Sequence, residues 1–141
     1  MSPKLVRTAA RIAFTLYALV LVTATHWPQL RIEGPVPRPD LYIHLAAFGL
    51  WTSLLIATEL LGPWRSRTAV AKCVALALIY AAIDEGTQAI PALGRTVALD
   101  DYLANALGVI LAGIAAVIAS KLVPASRPRE RAEPAHRSSD G

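Results

Sequence analysis

The chain is short of two things, cysteine and charge. It holds one cysteine, Cys73, and only 17% of its residues are charged. A lone cysteine excludes an internal disulfide and a cysteine-based metal site. Cys73 itself reads as a small apolar residue within a helix. So little charge, with 55% apolar residues and a mean hydropathy of +0.46, does not suit an ordinary soluble domain of 141 residues, whose apolar side chains would fall in periodic stripes. Also missing are a phosphate-binding loop, a serine-nucleophile motif, the histidine pattern of a lipid phosphatase and a usable internal repeat.

What is present is four long apolar blocks, at residues 9–27, 41–61, 70–90 and 102–123. Each approaches the ~20 residues that cross a bilayer. They predict an all-α integral membrane protein, a four-helix bundle in one domain. Residues 1–8 form a basic leader, and residues 124–141 a charged, proline-bearing tail expected to be disordered. The first block starts like a signal peptide, with Val22-Thr23-Ala24 as a weak cleavage match. Its full length and its His26-Trp27 ending read instead as a retained helix with an interfacial anchor.

Charge sets the expected orientation. Lys4, Arg7, Arg11, Arg65, Arg67, Lys72, Lys121, Arg127, Arg129, Arg131 and Arg137 fall on one side, against Arg31, Arg38 and Arg95 on the other. The positive-inside rule then makes both termini and the middle loop cytoplasmic, in a multi-pass cell-membrane protein. The net charge of +4 reflects that distribution and does not point to nucleic acid. The acids Glu33, Asp40, Asp84, Glu85, Asp100 and Asp101 belong to the outer side.

The segment from Ile83 to Asn105 is where polar chemistry gathers. Asp84 and Glu85 lie in an apolar run, where an unpaired charge is costly, about 2.5–3.5 kcal/mol at the bilayer centre and less toward its edge. Tyr80, Asp84 and Gln88 share one helical row; Cys73, Ala77, Ala81 and Glu85 form the adjoining small-residue stripe. Pro91 ends the helix and Arg95 lies in the short loop beyond. Asp100 is expected to cap the fourth helix, with Asp101 and Asn105 one turn apart. Ala104, Gly108, Ala112 and Ala116 make a second small stripe. The second helix begins at Asp40, read as its N-cap after a proline-rich loop, with His44 a turn later. Glu59 lies near the inner end, where it is expected to reach water or pair with Arg65 or Arg67.

In an up-down bundle the start of helix two, the end of helix three and the start of helix four share one face. The binding candidates are therefore Asp40, His44, Asp84, Glu85, Gln88, Arg95, Asp101 and Asn105. His44, Asp84 and Glu85 are also candidates for acid–base catalysis. One histidine among acids lacks a metal-ligand spacing, so no metal and no cofactor is expected. The same residues also read as a buried polar network that fixes helix register. The inner ends carry only what look like ordinary basic anchors.

At these residues the chain resembles the VanZ-like family. Its members carry Asp with His one turn later, an acidic residue and Gln at the end of the next helix, an Arg in the loop, and Asp-x-x-x-Asn followed by glycine. Here those are Asp40 and His44, Glu85 and Gln88, Arg95, and Asp101 to Asn105 with Gly108. The likeness covers residues 40–108, about half the chain. It departs at Leu41, where a basic residue is common, and at Gly113, where the later glycine is displaced. The resemblance implies a small bacterial plasma-membrane protein with a cell-envelope role, its namesake being associated with teicoplanin resistance. It names no reaction. The expected partners are membrane lipids and a lipid-linked envelope precursor. The alternatives are a membrane-embedded enzyme acting on a lipid head group and a structural or assembly partner.

Overall fold

The computed structural model describes residues 2–27, 37–88, 90 and 98–123. Among these residues there are four helices and no strand: α1 Pro3–Thr25, α2 Pro39–Ala57, α3 Arg67–Thr87 and α4 Leu99–Leu122. The tail at 124–141 and the loop holding Arg95 lie outside the described residues.

Three helices, α1, α2 and α4, are long and apolar enough to cross a membrane, where the sequence pattern suggests four. At 21 residues α3 has the length, but Arg67, Lys72, Asp84 and Glu85 interrupt its apolar run.

Each helix starts earlier than its apolar block, because polar and proline residues set the ends. Ser2 and Ser66 cap α1 and α3 by accepting from the backbone N–H of Leu5 and Ala69, each at 3.3 Å. Pro39 takes the first position of α2, behind Arg38 at φ 54°. That moves Asp40 into the first turn, so it is not the cap. Asp100 is likewise inside α4, whose N-cap is Ala98. Both acids still face the positive end of a helix dipole. At its other end α2 stops at Ala57. Glu59 at φ 54° and Gly62 at φ 126° then turn the chain toward α3.

Helix α2 touches the other three helices, and its most extensive contact is with α4. Glycine permits that contact. A Cβ added at Gly108 would collide with the Leu45 carbonyl and come within 3.1 Å of the Gly49 nitrogen. The small stripe thus brings two backbones together. Gly113 does the same toward α3, where an added Cβ would sit 2.6 Å from Val74 Cγ2. Deeper in the core, Trp51 of α2 stacks on Tyr80 of α3 at 4.9 Å and 10°, with Phe14 of α1 on its other side at 5.1 Å. Cys73, Ala77 and Ala81 are buried along α3 as the stripe predicts.

Burial is inverted relative to a soluble protein. Gln88, Asn105, Thr52, Thr58 and Asp84 are among the fully buried side chains, while Leu16, Leu19, Val20, Ile79, Ile83 and Ile118 stand exposed. Large apolar residues outside and polar ones inside is the arrangement a hydrocarbon solvent favours.

Candidate functional site

Cross-helix hydrogen bonds bring four helix ends together at what is here called the polar end: the last turns of α1 and α3 and the first turns of α2 and α4. It has two halves.

The first half joins α1 to α3 around Asp84, which is 2% exposed. Thr25 Oγ1 donates to Asp84 Oδ1 at 2.8 Å, and Gln88 Nε2 donates to Oδ2 at 3.2 Å. His26 Nδ1 lies 3.8 Å from Oδ1, and its Nε2 is 2.9 Å from Thr87 Oγ1. Thr87 donates its own proton to the Asp84 carbonyl at 2.8 Å, so Nε2 must donate to Thr87. Nδ1 lies 3.0 Å from both the Val22 carbonyl oxygen and Thr25 Oγ1. With α3 ending at Thr87, three residues beyond Asp84, the carboxylate lies in the last turn, about 5 Å from the helix end along the axis.

The second half joins α2, α3 and α4. His44 Nδ1 is 3.0 Å from Asn105 Oδ1, and with the amide turned this way Nδ1 carries the hydrogen and donates to it. His44 Nε2 lies 3.9 Å from Asp101 Oδ2. Glu85 Oε1 accepts from the Ala98 backbone N–H at 3.0 Å, so α3 supplies the cap that α4's own sequence lacks. Three atoms in this half are buried without a hydrogen bond: Glu85 Oε2, Asp101 Oδ1 and Asn105 Nδ2. Whichever way the Asn105 amide is turned, one of its polar atoms has no partner. Such atoms cost about 1–3 kcal/mol each, and native proteins keep few of them.

At the rim, Arg38 gathers the exposed acids. Its guanidinium meets Asp100 Oδ2 at 2.6 Å and Asp40 Oδ2 at 3.1 Å, and approaches Asp101 Oδ1 at 3.6 Å. The last distance is an electrostatic contact rather than a hydrogen bond. Hydrogen bonds to Asp40 first, and then to Asp100, push the Arg38 pKa above its ordinary value.

The sequence candidates Asp84 and Gln88 thus fall in one half, and His44, Glu85, Asp101 and Asn105 in the other. Asp40 is on the rim and Arg95 lies outside the described residues. Sequence reasoning missed Thr25, Thr87 and Arg38, and read His26 as an interfacial residue. A single Thr-His at the end of an apolar helix carries no spacing signal; the nearest clue was that α1 and α3 run in the same direction in an up-down bundle, which puts both residues level with Asp84. Among the described residues no group of three His, Cys, Asp or Glu side chains is arranged to hold a metal ion. No family model, curated protein or solved structure matches the chain.

Proposed function

We propose that the chain is a VanZ-like bacterial plasma-membrane protein, a four-helix bundle with both termini cytoplasmic, whose outward polar end recognises a cell-envelope or lipid-linked component. The observation that carries the reading is the trio of buried atoms on Glu85, Asp101 and Asn105 that make no hydrogen bond, Asp101 Oδ1 having only its 3.6 Å contact with Arg38. Two are carboxylate oxygens that accept, so the fitting ligand group offers hydroxyl or ammonium donors and one acceptor for the amide. The exposed apolar faces and the basic groups near the opposite end support the membrane orientation. The motif resemblance supports the envelope role and a part in teicoplanin resistance.

The test pairs two readouts on Glu85→Gln, Asp101→Asn and His44→Ala in membranes where insertion is verified. The reading expects teicoplanin susceptibility to change and binding of a lipid-linked envelope precursor to fall, with thermal stability in detergent kept. Unchanged susceptibility and binding in all three variants would falsify it.

A second reading, an enzyme acting on a lipid head group, has one observation in its favour. Asn105 orients His44 so that Nε2 points toward Asp101, as an acid–base histidine is oriented by a hydrogen bond to its other nitrogen. Head-group turnover by the purified protein that disappears in His44→Ala would establish it. The Asp84 half, with both carboxylate oxygens bonded, suits a helix-locking role instead.

A further inference from the structure

The opposite end of the molecule holds a cavity of about 450 Å³ between the first turns of α1 and the α2–α3 turn, lined by Lys4, Arg7, Thr8, Arg11, Glu59, Gly62 and Pro63. The four α1 residues follow helical i, i+3, i+4, i+7 spacing, so they form one face. That face is more than a set of anchors, because the surrounding chain has already sorted its charges. Glu59 is fully engaged: Oε2 pairs with Arg7 Nη1 at 3.2 Å and Oε1 accepts from the Trp64 backbone N–H at 3.3 Å. Arg11 donates from Nε to the Thr58 carbonyl at 3.3 Å, and among the described residues its terminal amino groups make no further hydrogen bond. Lys4 has no ion pair among the described residues. The cavity is therefore rich in positioned donors, with its one acid neutralised.

We infer that this cavity binds a phosphate oxyanion, as presented by the headgroup of an anionic lipid. Guanidinium and ammonium groups facing a pocket between helices at the basic side of a membrane protein match that chemistry. The inference does not depend on the role of the polar end.

The test is lipid retention by native mass spectrometry of the full chain, with thermal shift in detergent alongside. The probes are phosphatidylglycerol, phosphatidylcholine and inorganic phosphate. The parent is expected to retain phosphatidylglycerol over phosphatidylcholine and to be stabilised by it. Lys4→Gln and Arg11→Gln should each weaken retention about fivefold. Thr8→Leu, which fills the cavity without altering charge, should weaken it too. Lys121→Gln, at the same end of the molecule but outside the cavity, should not. Lys4→Gln removes no intramolecular partner, so it keeps the test readable if Arg11→Gln fails to fold. Stabilisation by inorganic phosphate equal to that by phosphatidylglycerol, lost in the same variants, supports the oxyanion site with a soluble source. Retention unaffected by Lys4→Gln and Thr8→Leu, or an equal loss in Lys121→Gln, overturns the inference.

Discussion

The two ends of this molecule carry similar numbers of charged groups and use them in opposite ways. At the polar end the two acids of α3 point inward, beneath a rim of exposed charge. Asp84 and Glu85 are buried, and each makes a hydrogen bond to a different helix or its cap. At the basic end they point outward, around a cavity, with one cross-helix ion pair between Arg7 and Glu59. Buried charges must be satisfied locally because no water is there to do it, so they fix which helices meet. Exposed charges lose little if a partner is missing, so they are free to meet something else. The first end therefore reports on architecture and the second on the surroundings, except where the polar end leaves atoms unpaired.

Four comparisons would break or sharpen this contrast. The largest effect is expected where neither end is involved, at the α2–α4 crossing: Gly108→Ala should cost about 1–3 kcal/mol, read as a fall in thermal stability in detergent, since the collision is with backbone that cannot step aside. Gly86→Ala is its control; with nothing near an added Cβ, it should be neutral or slightly stabilising. Next, Asp84→Ala should cost about 1–3 kcal/mol by the same assay, because Thr25 and Gln88 both lose their acceptor. If Thr25→Val costs nothing, the α1–α3 link is not a lock and the inward charges have no architectural role. A double-mutant cycle on Arg7→Gln and Glu59→Gln should give a coupling of only about 0.2–1 kcal/mol that fades in high salt, as exposed pairs do. The smallest change in stability is expected for Glu85→Gln. Its Oε1 still accepts from Ala98, and the atom replaced had no partner. A large destabilisation there would move Glu85 from the binding half to the structural one.

Much of the fold was legible. Four apolar blocks gave four helices, and alternation alone placed Asp40, His44, Asp84, Glu85, Asp101 and Asn105 toward a common end. The small stripes marked Gly108 and Ala77 as contact positions. What escaped depended on tertiary distance. Glu59 was expected to reach water or pair with Arg65 or Arg67 nearby; it pairs with Arg7, 52 residues away, because α1 runs beside α2. Helix α1 was given no part in the polar end, since Thr25 and His26 gain meaning only when α3 brings Asp84 against them. Helix caps were misplaced by two residues at α2 because a proline at its first position displaces the acid that would otherwise cap it. Arg95 lies outside the described residues; the arginine seen among the acids is Arg38, held between Asp40 at the start of α2 and Asp100 at the start of α4.

The pairing of α2 with α4 has a consequence for how the protein is made. Synthesis runs from α1 to α4, yet the side-chain partners His44 of α2 has among the described residues, Asn105 and Asp101, are on α4. The Glu85 carboxylate likewise waits for the Ala98 amide at the start of α4. A nascent chain released after α3 would hold these groups with nothing to bond them. Asp84, by contrast, finds Thr25 as soon as α3 is in place. Assembly thus closes one half of the polar end three helices in, and leaves the other open until the final helix slides its glycine against Leu45.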